Sequence, residues 1–313
     1  MIAGRTRTLL AVLALIAAFA VPAQTLYKYR GPDGEWIYTD KSPGDQDVAE
    51  TRDIESSDIK GTVEVSHAVV GKSIEIVADN GYFVPVELTI DFQVIEGIEY
   101  PRPDKPRRWV VPPRSKKILL NLAILDNVEA PNARYAYRYT LGDPRATHRP
   151  GSPYRVPYAV ALDLRISQAF PDASTHDTPD SYYAVDIAMP IGTDIYAARS
   201  GIVFDVTDTN FRSGLDRDRD APAANVVRIL HDDGTYGVYA HLNWNSIRVR
   251  PGDHVKRGQY IADSGNTGFT SGPHLHFAVV RNAGMLPLSV PVRFEGANSD
   301  AVTPATGNVL TAY

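Results

Sequence analysis

The chain has 313 residues, a formal net charge of −5, 43% hydrophobic residues and no cysteine. The missing cysteine excludes a disulfide framework and a thiolate metal site, so any metal must be held by histidine and carboxylate. A mildly acidic composition offers none of the basic excess that nucleic-acid binding favours, so no nucleic-acid partner is expected, and the length allows about two domains.

Arg5 and Arg7, the apolar run from Leu9 to Val21 and the pair Pro22-Ala23 have the layout of a secretory signal peptide over residues 1–23. The apolar run is short for a membrane span, and no later stretch reaches the roughly 18 apolar residues that would cross one. The mature chain is therefore expected to be exported, periplasmic or in the cell envelope, with no membrane span once the signal is cleaved. An uncleaved anchor is the alternative.

Residues 24–47 hold two aromatic-rich runs around Pro32-Asp33-Gly34, a turn signal that predicts a small β-hairpin domain. The elements Tyr27-Lys28, Asp33-Gly34 and Tyr38-Thr39-Asp40 resemble a small domain of unknown function found at the N-terminus of many bacterial exported proteins. That resemblance names no chemistry. Residues 48–60 are polar, rich in acids and serine, and are expected to be a linker.

Over residues 61–150 the pattern is β. From Val86 to Val94 every other residue is apolar, as in a strand with one buried face, and Tyr135, Tyr137, Tyr139 and Leu141 repeat the alternation. Short strands punctuated by turns predict a β-sandwich-like domain. Its basic, proline-stiffened loop from Arg102 to Lys117 reads as a solvated loop or as a patch for an anionic surface. His67 and His148 stand far apart and read as structural.

The third region, residues 158–295, again reads as β. Its key stretch is Pro273-His274-Leu275-His276-Phe277, entered from the glycine-rich run that begins at Ser264. Alternate strand residues share a face, so both imidazoles would face one site, where one can hold a metal and the other a proton. Alone, the pair reads equally well as two half-exposed strand histidines. His231 and His254 fall at turns and read as structure. The alternating acids of Asp216-Arg217-Asp218-Arg219-Asp220 suggest either a calcium loop or, with their arginines, a self-paired loop. Residues 296–313 carry no pattern and are expected to be a flexible tail.

Four blocks in this region carry a more specific signal: Tyr182 to Val203 with Ala184-Val185-Asp186, Asn225 to Leu242 with Tyr239-Ala240-His241-Leu242, Val249 to Ile261, and Gly272-Pro273-His274-Leu275-His276. Together they resemble the lysostaphin-type, or LytM-domain, zinc metallopeptidase family. The resemblance implies an all-β chain ending in an antiparallel peptidase domain with a narrow groove and one zinc ion. It assigns Asp186 and His276 as metal ligands and His241 and His274 as the catalytic pair. It also implies an exported zinc metallo-endopeptidase whose partners are peptidoglycan peptides and which cleaves cross-links or stems of the bacterial wall.

One position departs from the family pattern. Four residues before Asp186, where the family has its first histidine ligand, stands Tyr182, and a neutral phenol is a poor zinc ligand. The first ligand is therefore atypical. The expected replacement is His176, ten residues upstream of Asp186 in a polar loop, with Tyr182 turned into the groove wall. Should Tyr182 alone fill the position, the alternative is a catalytically inactive LytM-like module that binds the wall and activates other cell-wall enzymes.

Overall fold

The computed structural model describes residues 24–30, 36–39, 48–54, 61–99 and 107–313. The expected signal peptide, the hairpin turn at residues 32–34 and part of the basic loop, including Arg102 and Lys105, lie outside the described residues. The chain divides into two compact units, residues 1–56 and 57–313.

In the first unit β1 (Gln24–Arg30) pairs antiparallel with β2 (Trp36–Thr39), Tyr27 opposite Thr39 and Arg30 opposite Trp36. A third strand, β3 (Val48–Ile54), pairs with the other edge of β1. The linker expected from residue 48 therefore begins with a strand. A two-stranded hairpin is marginal alone, and backbone hydrogen bonding along its open edge stabilises even a polar segment as a third strand.

The second unit starts with β4 (Val63–Val70), β5 (Ser73–Asn80), β6 (Val86–Glu96), β7 (Arg108–Val111), β8 (Ser115–Ala123) and β9 (Asn132–Leu141). They form two three-stranded antiparallel sheets, ordered β4-β5-β8 and β7-β6-β9. Strict alternation in β5 turns Ile74, Ile76 and Ala78 inward, where they meet Leu88 and Ile90 of β6 and Leu122 of β8 in one core. This is a β-sandwich.

Continuing along the chain come β10 (Asp163–Ala169), β11 (Val185–Ala188), β12 (Asp194–Tyr196), β13 (Gly201–Thr207) and β14 (Ser213–Gly214). A short helix α1 (Arg217–Asp220) precedes β15 (Val226–Leu230), β16 (Tyr236–Ala240), β17 (His254–Val255), β18 (Tyr260–Asp263) and β19 (Gly268–Phe269). The last are β20 (His274–Asn282), β21 (Pro287–Ser289), β22 (Phe294–Glu295), β23 (Ala301–Val302) and β24 (Val309–Thr311). Nine of them make one antiparallel sheet, in the order β17-β13-β15-β16-β20-β11-β10-β24, with β21 beside β20. Among the described residues the chain is all-β apart from short helical turns.

The expected flexible tail is instead folded. β24 pairs with β10, burying Leu310 and Ala312, and β23 pairs with β22. A three-residue strand with one buried apolar side chain, Leu310, is too short to leave a periodic trace in the sequence.

The large sheet uses its two faces differently. Leu275, Phe277 and Val279 of β20, with Val185, Ile187, Val227, Ile229 and Tyr239, pack into the main core on one face. On the other, Ala278 and Val280 of β20 and Tyr236 and Val238 of β16 pack with Phe204 against Tyr82, Phe83, Val84 and Leu141 from the sandwich. Farther along that same face, in register with Ala240, lies His276. The sandwich thus covers one end of the face and leaves the other end open.

Candidate metal centre

Strand pairing brings the first two residues together. Val185 and Ile187 of β11 are buried in the core, so the intervening Asp186 faces the opposite side, directly across from His276 on β20. His276 Nδ1 lies 2.9 Å from Asp186 Oδ1. His176 arrives from the loop between β10 and β11: its Nε2 is 3.1 Å from the same oxygen, and its ring centroid is 5.1 Å from that of His276. One ligand atom from each of His176, Asp186 and His276 lies within 4.8 Å of the others.

The other two histidines stand beside this trio. His241 follows the end of β16 with φ of 61°, a left-handed conformation that a side chain other than glycine adopts at a cost of order 1 kcal/mol. The turn sets its ring centroid 4.5 Å from that of His274 and 5.9 Å from that of His276. Each is fixed by a backbone carbonyl: His241 Nδ1 is 2.7 Å from Thr267 O, and His274 Nδ1 is 2.8 Å from Gly272 O. A carbonyl only accepts, so Nδ1 carries a proton in both rings, and in the neutral form of either ring the lone pair is on Nε2. His274 Nε2 is 3.7 Å from Asp186 Oδ2.

Electrostatically the centre is a buried carboxylate among imidazoles. Asp186 is 3% exposed. Burial alone would raise its carboxyl, but the contacts from His176 and His276 and the neighbouring rings outweigh it and hold the group well below the usual carboxylate range. Burial, followed by the charges of His274 and His276, pushes the His241 imidazole down to about 3, so that ring is neutral at neutral pH.

A cation fits this donor set. Both ring nitrogens of His176 are buried and have no hydrogen-bond partner, because the approach of Nε2 to Asp186 lies outside hydrogen-bond geometry. Buried polar atoms without partners are costly. Two imidazole nitrogens and one carboxylate oxygen converging on one point are the ligand types and number of an open zinc site.

A cavity of about 390 Å³ lies over the centre, lined by Asp186, His176, His241, His274, His276 and the side chains of Arg217 and Phe269 among others. Tyr182 is absent from its lining. The phenol is 48% exposed and packs against Phe170 and Tyr183, with centroids 5.2 and 5.1 Å apart. The expectation that it turns into the groove wall fails because β11 begins only at Val185. Tyr182 belongs to a turn in which its N–H, like that of Ser181, bonds Thr178 O, so strand parity with Asp186 does not apply.

The remaining histidines lie elsewhere. His231 is buried with Nδ1 3.0 Å from Ser200 O, and His254 is exposed on β17. In the acid-rich insertion, Asp220 pairs with Arg219 and Arg212, and Arg217 reaches across to Asp177 and to Thr175 O. The sequence reading missed Arg217, the carbonyls of Thr267 and Gly272, and Gln168, whose Nε2 donates to Asp186 Oδ2 at 2.8 Å. Backbone acceptors leave no trace in residue type, and a lone glutamine carries no spacing signal.

Residues 180–287 match the profile of Peptidase family M23. Over 126 residues the chain is 34% identical to peptidoglycan DD-endopeptidase ShyA of Vibrio cholerae serotype O1, a match covering 39% of this chain and 26% of that protein. It is 35% identical over 103 residues to lysostaphin of Staphylococcus staphylolyticus, covering 33% and 19% of the two chains. With peptidoglycan DD-endopeptidase ShyB of the same Vibrio it shares 40% identity over 98 residues, covering 31% and 20%. The chain thus spans about a quarter or less of the length of these relatives. The segment matched by the family profile holds Asp186, His241, His274 and His276, and over that segment the chain is similar to peptidase family M23, the lysostaphin or LytM type.

Proposed function

We propose that the chain is an exported zinc metallo-endopeptidase that cleaves peptide cross-links or stems of bacterial peptidoglycan. The observation that carries this reading is the convergence of His176, Asp186 and His276 beside His241 and His274 at the open end of one sheet face. The relatives named as peptidoglycan endopeptidases support the substrate class. Export rests on the charged and apolar pattern of residues 5–23.

In this reading His176, Asp186 and His276 hold one zinc ion. When bound, zinc supplies Lewis acidity, polarising the scissile carbonyl and making water acidic enough to ionise near neutral pH. The chain's own groups do the rest. In its neutral form His241 or His274 presents an Nε2 lone pair, so one of the two takes up the single proton released as water attacks the peptide carbonyl. Once protonated, the same nitrogen donates a hydrogen bond to the developing oxyanion or gives the proton to the leaving amine. The backbone acceptors at Thr267 and Gly272 keep both rings in the tautomer this requires.

The test combines metal analysis of the purified full chain with chromatography of peptides released from peptidoglycan. Near-stoichiometric zinc and release that a chelator stops are expected, and His176→Ala and Asp186→Ala should each lose the metal. A wild-type chain that takes up no zinc after loading would discard the enzyme and favour an inactive wall-binding module that activates other hydrolases.

A further inference from the structure

A ligand that arrives from a loop needs something to fix it, and His176 lies in the irregular segment between β10 and β11. Its neighbours Ser174 and Thr175 converge on one side chain. Gln168 Oε1 accepts from Ser174 N at 2.9 Å, Ser174 Oγ at 3.0 Å, and Thr175 N and Oγ1 at 3.2 Å. The opposite end of the same carboxamide donates to Thr175 Oγ1 at 3.0 Å and to Asp186 Oδ2 at 2.8 Å. Gln168 stands directly across from Asp186 in the β10–β11 pairing.

We infer that Gln168 is a positioning residue of the metal centre, locking the His176 loop to the Asp186 carboxylate through the two ends of one carboxamide. The inference rests on the three-ligand reading above. The chemistry fixes which end points where. The amide N–H groups meet the Asp186 carboxylate, which only accepts, and the Thr175 hydroxyl, while the amide oxygen meets the backbone N–H groups of Ser174 and Thr175, so a flipped group would set an oxygen against a carboxylate. A glutamate here would keep the acceptor for the loop but lose the donor to Asp186 and add a like charge beside it. Methionine, of similar length, would keep neither.

A second clamp lies on the outer side of the loop, where Arg217 donates to Thr175 O at 3.2 Å and to Asp177 at 2.6 Å. Neither of those bonds reaches Asp186. Gln168 is the group that touches both the loop and a ligand, so it decides how far His176 sits from the other two.

The experiment uses the full chain carrying Gln168→Met or Gln168→Glu, with two readouts. One is zinc affinity by competition with a chromogenic chelator; the other is amide hydrogen exchange over residues 173–178 in the metal-free protein. For Gln168→Met, zinc affinity should fall about 10- to 100-fold, in the range for groups that orient metal ligands, and the Ser174 and Thr175 amides should exchange at least about tenfold faster. Gln168→Glu should restore the exchange protection, which a role limited to packing does not predict. Unchanged exchange together with zinc affinity within about twofold of wild type in Gln168→Met overturns the inference. Should that variant not fold, loss of protection at Ser174 and Thr175 in folded Gln168→Glu overturns it. The exchange readout needs no metal, so a wild-type chain that binds no zinc sinks the enzyme reading without deciding the role of Gln168.

Discussion

His231 offers a stability prediction that can be worked through from its surroundings. The ring is 4% exposed; Nδ1 donates to Ser200 O, and Nε2 lies 3.3 Å from where a Cβ on Gly237 would sit, with no acceptor or donor opposite it. Burial, partly offset by the Ser200 carbonyl and the Asp233 and Asp232 carboxylates and reinforced by Arg199, pushes the imidazole down from 6.5 to about 4. The folded state therefore keeps the ring neutral while the unfolded chain takes up a proton below its ordinary value. Between those values the unfolded state binds more protons, so this contribution is fully present above pH 6.5 and is lost as pH falls toward 4. The whole shift corresponds to about 3 kcal/mol. His231→Asn keeps a donor near Ser200 and removes the titration; the packing it loses is independent of pH. Urea unfolding of both proteins at steps from about pH 7 to pH 4 should show the wild type losing about 3 kcal/mol more than the variant. Two stability curves that run parallel through that window would refute the reasoning.

Two further predictions concern the groove and the junction behind it. His241→Ala and His274→Ala should each keep zinc near the wild-type level and lower turnover about 100-fold or more, and loss of the metal in either variant would remove it from the proton-transfer role. Asn282→Ala should destabilise the chain by about 2–4 kcal/mol in thermal or urea unfolding, because it strips donors from the buried Glu87 carboxylate and from Gly142 O; a change under about 0.5 kcal/mol would show that the junction does not depend on this contact.

Strands with one buried face were the legible part of the chain. Val86 to Val94 alternates visibly and lies within β6, and His274-Leu275-His276-Phe277 alternates into β20, because burial on one face forces a period of two. The loop ligand was harder to read. His176 could be nominated only because a position in the family pattern was wrong and cysteine was missing, while what holds it, the carboxamide of Gln168, depends on a strand pairing that no local pattern announces. Tyr182 misled for the reverse reason: four residues from Asp186 suggests a shared strand, but the turn bonded to Thr178 O ends that logic three residues early. The segments at 48–54 and 309–311 escaped because short edge strands are held by backbone hydrogen bonds, which composition does not record.

The shared sheet face also bears on whether the peptidase region is a separable module. A cut near residue 150 would uncover Tyr236, Phe204, Ala278 and Val280, all under 9% exposed beneath the sandwich, and would leave Asn282 without Glu87 and Gly142. Gly252, where a Cβ would come within 2.9 Å of the Phe83 ring, shows how closely the two surfaces are fitted. An excised C-terminal fragment would carry a contiguous apolar patch beside its groove, the kind of surface that drives association in solution. The natural unit for expression, engineering or domain exchange is therefore the span from residue 57 onward, in which the sandwich acts as the lining of the peptidase sheet and not as an independent passenger.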